Sequence, residues 1–180
     1  VGPKRLNRPS TLDLTLASDL GKERSRMDTD PLTTQAPEHE PVKQFSVFAE
    51  NKIGRLKQFI DLLGCHDIHV IALSTMETTD SAIVRVVVDD PDGARAVFQE
   101  HGFPYNESDL LAVEIDSEAD LKCILAVLLA AEVNLHYIYP FISRPMSKAA
   151  LVMNVEAPDL AAQALRGAGL RVLSQADIAR

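Results

Sequence analysis

The sequence predicts an α+β fold made of two tandem βαββαβ units, each an antiparallel sheet with its helices on one face. Three observations carry this: an internal repeat, two hydrophobic periods that alternate inside each copy, and helix stops that recur at matching places. Sliding the 180-residue chain by 65 positions lays LKQFIDLLGCHDIHVIAL (56–73) on LKCILAVLLAAEVNLHYI (121–138). Leu56 then meets Leu121, Phe59 meets Ile124, Leu63 meets Leu128, Ile68 meets Val133 and Val70 meets Leu135. Two extra residues raise the offset to 67, and PDGARAVFQEHGF (91–103) falls on PDLAAQALRGAGL (158–170), with Pro91, Asp92 and Gly102 on Pro158, Asp159 and Gly169.

The elements follow in order. Phe45, Val47 and Ala49 alternate as a strand. Leu56, Phe59, Ile60 and Leu63 recur at helical spacing, with Gly64 near the end. Residues 68–76 and 81–88 are β-branched strands joined by a hairpin-like loop, ETTD (77–80). Pro91 suits a helix's first turn. Ala94, Val97 and Phe98 give that helix its apolar face, Gly102 stops it, and FPYNES is a short last strand. The second copy gives strands at 110–115, 134–142, 148–156 and 170–174, and helices at about 119–131 and 158–168. The order is that of the ferredoxin-like unit, twice. The expected boundaries are a disordered extension at 1–42, a first unit at 43–109 and a second at 110–180. The extension is rich in Pro, Ser, Thr and charge, without a sustained period. An interaction tail is the other reading, and Met27 is a plausible true start.

In this topology one sheet face carries no helix. Yet IVRVVV (83–88) and HVIAL (69–73) are apolar at both parities, and a bare apolar face is a contact surface. The expectation is that the copies join sheets side by side, that the helix-free face packs on another sheet or a second chain, and that the protein is a homodimer. Tyr137 and Tyr139 share one face of a strand and read as packing residues whose hydroxyls reach a partner.

Composition is that of a soluble globular chain, 46% hydrophobic and 24% charged. A net charge of −8 argues against a nucleic-acid footprint and against an anionic membrane surface. No apolar run reaches the roughly 18 residues of a membrane span. Cys65 and Cys123 form no CxxC pair and read as reduced, mostly buried thiols, which suits the cytoplasm. CHDIH (65–69) invites a metal reading, but no second cluster accompanies it, and no metal or cofactor is expected. There is no GxSxG, no phosphate-binding glycine loop, no HExxH and no GxGxxG, so no catalytic residue is assigned and the chain reads as no enzyme.

FSVFAENKIGRL, a helix, then DIHVIAL resembles the start of an ACT domain, a small-molecule-sensing βαββαβ module. The resemblance covers roughly 43–178 as two units in tandem and is similar to bacterial stand-alone tandem-ACT proteins without a catalytic domain. It implies an amino-acid ligand held between the loop after one unit's first strand, often Asn-x-Pro-Gly, and the start of a neighbouring unit's second strand. Here that loop is Asn51-Lys52-Ile53-Gly54, with Ile53 in the proline's place. The implied ligand-binding set is Asn51, Lys52, Ile53, Gly54, Arg55 and Leu56, with Asn134 and His69 at the second-strand positions. Local chemistry agrees. A helix N-terminus favours a carboxylate, Asn51 offers a donor and an acceptor, and Lys52 or Arg55 can add charge. Gly54 has two readings, a plain turn or a close approach to ligand.

The corresponding loop of the second copy, Asp116-Ser117-Glu118-Ala119-Asp120, has no glycine and three carboxylates, which suit helix capping and not an anion. Pseudo-symmetric pairing would set the Asn51 loop against Asn134 and the Glu118 loop against His69, giving one good site and one poor one. The leading reading is a non-catalytic regulatory module whose amino-acid ligand shifts the arrangement of paired sheets. The alternative is a protein-interaction subunit of an amino-acid biosynthetic enzyme with no functional ligand site.

Overall fold

In a computed structural model, the described residues are 1–2, 40–77, 81–143 and 148–179. Most of the expected N-terminal extension, and Thr78–Asp80 of the expected hairpin loop, lie outside them. The elements run β1 (Val42–Glu50), α1 (Arg55–Cys65), β2 (Val70–Glu77), β3 (Ser81–Val88), α2 (Pro91–Glu100), β4 (Tyr105–Ile115), α3 (Glu118–Ala130), β5 (Leu135–Pro140), β6 (Ala149–Val155), α4 (Pro158–Gly167), β7 (Val172–Leu173) and α5 (Gln175–Ile178). The sheet order is β2-β3-β1-β4-β6-β5, with β7 also on β4. Each half therefore shows the 4-1-3-2 strand order of the ferredoxin-like unit.

The strands expected at FPYNES and at 110–115 are one strand. β4 pairs with β1 from Tyr105 to Leu110, then with β6 from Leu111 to Ile115, and with β7 at Ala112 and Val113. The partner changes between Leu110 and Leu111, inside continuous backbone, one residue past the expected boundary at 109/110. Asp109, left between the two expected strands, is an exposed strand residue like Asn106 and Glu107 before it.

Helical and strand periods meet in two equivalent cores. In the first half, Phe45 and Val47 of β1 and Val84, Val86 and Val88 of β3 pack under Phe59 and Leu63 of α1 and Ala94, Val97 and Phe98 of α2. The Phe59 and Phe98 rings stack at 5.6 Å, and Phe45 meets Phe98 edge-on at 5.2 Å. In the second half Leu111, Val113 and Met153 lie under Ile124, Leu128, Ala161 and Leu165.

A third core lies between the two helix-free faces. Val42, Ala72, Val87 and Leu110 of the first half pack with Tyr139, Phe141, Ala150 and Val152 of the second. The sheet curls until its end strands touch. Ala72 bridges Phe141, and the Ile142 N–H donates to the Ile71 carbonyl at 2.8 Å. The helix-free face is thus covered over its inner rows by the chain's own other half, and it gives no reason by itself to expect a second chain.

One polar group sits in this third core. Gln44 has no exposed surface, its Nε2 donates to Tyr137 Oη at 2.9 Å and to Ser46 Oγ at 3.1 Å, and its Oε1 accepts from Tyr139 Oη at 2.7 Å. Burial pushes the Tyr139 phenol far above its ordinary range, and neighbouring Tyr137 adds to this. The Arg85 guanidinium lies 4.1 Å over the Tyr137 ring. The tyrosine hydroxyls do reach a partner, in the other half of the same chain.

Two details depart from the sequence reading. The chain does not end on a strand: after β7 it forms α5, whose buried Gln175 accepts from the Lys43 N–H at 3.0 Å and donates to the Val88 carbonyl at 3.1 Å. Cys65 is exposed and Cys123 half-buried, both free. Phe59 and Leu63 take the inner face of α1, and Cys65 closes the helix outside it.

Gln44→Ala leaves two buried hydroxyls without their amide and should cost about 2–4 kcal/mol in urea unfolding. Tyr139→Phe should cost less in the Gln44→Ala background than in the native chain, and a double-mutant cycle showing no coupling would contradict the network.

Candidate functional site

The first corner follows directly from β1. Gly54 caps α1 at φ +86°, a left-handed conformation that a side chain adopts only with strain, and open space surrounds the position its Cβ would take. The turn alone therefore accounts for the glycine, and the surface around it is open. No side chain caps α1, and its first turn holds no acid. Asn51, Lys52, Ile53, Gly54, Arg55 and Leu56 are all exposed, Ile53 completely. Lys52 Nζ lies 2.7 Å from Glu50 Oε2, and this hydrogen bond, with the Lys52 charge, holds the Glu50 carboxyl below its ordinary range. Arg55 Nη1 donates to Gln58 Oε1 at 3.3 Å.

Beside this corner lies an open cleft of about 500 Å³ between the end of β1, the flank of α1 and the loop 101–104. Phe48, Glu50, Arg55, Phe59, Leu62 and Phe103 are among its walls. Of these, only Arg55 belongs to the set read from sequence. The missed signal is Phe48, a large aromatic on the strand face opposite Phe45 and Val47.

The second corner closes on itself. Ser117 Oγ accepts from the Ala119 N–H at 3.2 Å, and Asp120 Oδ2 accepts from the N–H groups of Asp116 at 2.7 Å and Ser117 at 2.9 Å. Those backbone donors hold the Asp120 carboxyl below its ordinary range. Asp120 has the capping role expected of these acids, while Glu118 sits in the first turn, paired with Lys122, and Asp116 lies 3.7 Å from Lys148.

The second-strand positions match each other but not the corners. The His69 carbonyl accepts from the Asp89 N–H at 3.2 Å, and the Asn134 carbonyl accepts from the Glu156 N–H at 3.0 Å. His69 also donates its N–H to Asp89 Oδ1 at 2.8 Å, with Nδ1 2.9 Å from Oδ2. Its hollow of about 380 Å³ is lined by Asp67, Asp89 and Asp90, a poor setting for a carboxylate.

Register decides which residues meet. Phe48 donates its N–H to the Pro104 carbonyl, so the first corner lies beyond the start of β4, while the second follows its last residue, Ile115. Leu135 pairs with Val155, two residues past the partner of Leu111, so Asn134 stands near the middle of β4. Val70 pairs with Val88, one residue past the partner of Gln44, and Gln44 faces Ser108, so His69 stands there too. Corner and second-strand position are separated by roughly 20 Å of strand at about 3.3 Å per residue. Within one chain, Asn51 does not face Asn134, and Glu118 does not face His69.

CHDIH also disperses. Cys65 ends α1, the His66 ring meets the His101 ring at 6.0 Å, and His69 turns to Asp89. Among the described residues no group of three His, Cys, Asp or Glu side chains is placed to hold a metal, and no helix is long and apolar enough to cross a membrane.

Strand order, curl and paired helices define a class: two ferredoxin-like modules fused in tandem through one shared strand. Residues 41–180 match the family model of the ACT domain pair, and the chain belongs to that family. Protein BT0572 from Bacteroides thetaiotaomicron is similar in structure at TM-score 0.70 and 28% identity, over 78% of this chain and 96% of that one. The ligand-free regulatory subunit of aspartate kinase from Thermus thermophilus, at TM-score 0.51 and 12% identity over 74% of this chain and 95% of that one, shares the fold. No curated protein matches the sequence.

The lowered Asp120 carboxyl sets a pH test. A carboxylate whose folded-state value lies below its unfolded one stabilises fully at neutral pH, and that contribution is lost as pH falls through the folded-state value. Asp120→Asn should melt below the native chain at pH 7, and the gap should close below about pH 4. A gap that persists at pH 2 would show that the carboxylate charge is not its source.

Proposed function

We propose that the chain is a non-catalytic regulatory module that binds an amino acid or a similar small zwitterion at the Asn51–Leu56 corner. One observation carries this reading: the two corners of the repeat have diverged. The second fills its helix start with Ser117 and Asp120, while the first has no side-chain cap and opens beside a cleft with Arg55 on its wall. Backbone N–H groups and a guanidinium suit a carboxylate. Membership of the ACT domain pair family supports a regulatory role, and the aspartate kinase regulatory subunit shares the fold. Asn134 and His69 cannot reach the corners of their own chain, so they join a site only through a second copy, and we carry the homodimer forward on that ground alone.

A second reading, the interaction subunit of a biosynthetic enzyme, is favoured by α3. Its outer face exposes Leu125 at 45% and Leu129 at 80%, with Leu160 of α4 also exposed at 49%, whereas the matching positions of α1 hold a half-buried Ile60 and Gly64.

A thermal-shift screen of the common amino acids should find at least one that raises the melting temperature. A ligand at 100 times its Kd stabilises by about 2.7 kcal/mol if it binds the native state alone. No shift at millimolar concentration, together with an enzyme that co-purifies regardless of amino acids, would favour the second reading. Sedimentation should give twice the chain mass of 19.7 kDa, and a monomer would remove Asn134 and His69 from the site.

A further inference from the structure

The cleft beside the first corner has a divided chemistry that narrows its ligand, an inference that rests on the amino-acid reading above. One wall is apolar. Leu62 and Phe103 are half-buried and pack against the same core as Phe59, which forms the floor. This wall is fixed in advance. The Phe48 N–H donates to the Pro104 carbonyl at 2.9 Å, the Phe103 N–H donates to the Phe98 carbonyl at 2.9 Å, and the Phe103 ring meets Phe59 edge-on at 5.7 Å. Apolar surface held against water is stabilised when another apolar group covers it, by roughly 25 cal/mol per Å².

The other wall is charged with both signs. Among the described residues Arg55 has no carboxylate within ion-pair distance, and its side-chain partner is the neutral Gln58. Arg95 and Arg171, by contrast, each hold two carboxylates. Glu50 stands in the same cleft with the flexible, exposed Lys52 as its counter-ion. The Arg55 charge acts on Glu50 without a direct ion pair, and such a guanidinium beside a replaceable ion pair is complementary to a zwitterion. The volume, about 500 Å³, falls in the range of about 300–1,000 Å³ that small-molecule sites occupy.

We infer that the cleft takes an α-amino acid with a large apolar side chain, such as leucine or phenylalanine. Its carboxylate lies on Arg55, its ammonium faces Glu50, and its side chain covers Leu62 and Phe103. A smaller or charged side chain leaves that wall wet or sets a charge against it.

Calorimetric titration of the full chain with leucine, phenylalanine, glycine, aspartate, lysine and leucinamide tests this. Leucine or phenylalanine should bind at least about ten-fold more tightly than glycine, aspartate or lysine, which is the scale on which an apolar pocket discriminates. Leucinamide, without the carboxylate, should bind at least about ten-fold more weakly than leucine. Arg55→Gln, a surface change, should weaken every amino acid, and Leu62→Ser should weaken leucine and phenylalanine more than it weakens glycine. Binding of glycine, aspartate or lysine as tight as that of leucine overturns the apolar class and leaves the amino-acid reading standing. Leucinamide binding as well as leucine overturns the Arg55 assignment. No heat with any of the amino acids overturns the amino-acid reading and this inference with it.

Discussion

β4 is one strand with two owners, and the rest of the molecule depends on it. Its first six residues close the first half's sheet and its last five open the second's, so β1 and β6 are bonded to the same backbone. The pleat passes through the junction without a change of phase. Leu110 and Ala112 face the shared core, and Tyr105, Leu111 and Val113 face the helices. A slip of one residue in either half would turn that half's apolar set outward. A flexible linker would let each half choose its own register and orientation, whereas a continuous strand couples them.

The shared core that results is not purely apolar. Gln44 and Gln175 are both buried, and each ties elements together across the junction: Gln44 joins β1 to the two tyrosines of β5, and Gln175 joins α5 to β1 and β3. Apolar contacts between two sheets are tolerant of sliding and rotation. A buried amide is not, because displacement leaves its donors and acceptors unsatisfied at about 1–3 kcal/mol each. With Ala72 bridged to Phe141 at the sheet's far ends, these two side chains give the paired halves one relative position.

Much of this was legible in sequence. The phase match of Leu56, Phe59 and Leu63 with Leu121, Ile124 and Leu128 located both helix cores, because a helix buries one stripe whatever its surroundings. Apolar residues at both parities in β3 correctly announced that both sheet faces would be covered. What covered the second face was not legible: hydrophobic periodicity reports that a face is buried and carries no address for its partner. The fusion of two strands into β4 was hidden for a related reason, since the exposed Asn106, Glu107 and Asp109 break the apolar alternation between the two expected strands. At the candidate site, the capping expected of the run 116–120 is made by Ser117 and Asp120, and Gly54 takes the turn conformation that one of its two readings gave it. The facing of Asn51 with Asn134 assumed a lateral pairing that the shared strand does not allow within one chain, and the cleft itself combines residues from β1, α1 and loop 101–104 that no local motif joins.

Duplication places the two functional readings on different halves, and this bears on how they relate. The first half has an open corner and an α1 that carries a half-buried Ile60, Asp61 and Gly64 at the matching positions. The second half has a self-capped corner and an α3 that shows water Leu125, Ala126 and Leu129. Neither difference is required by the fold, because each half builds its core with the other helix face. On the proposed reading, a ligand in the first half could act on a partner of the second only by favouring one arrangement of the halves over another. Its leverage is limited to its difference in affinity between those arrangements. The buried amides and the continuous strand make the halves stiff toward each other. Such a ligand would therefore act more readily by changing how whole chains associate around the exposed corner than by bending the chain at β4.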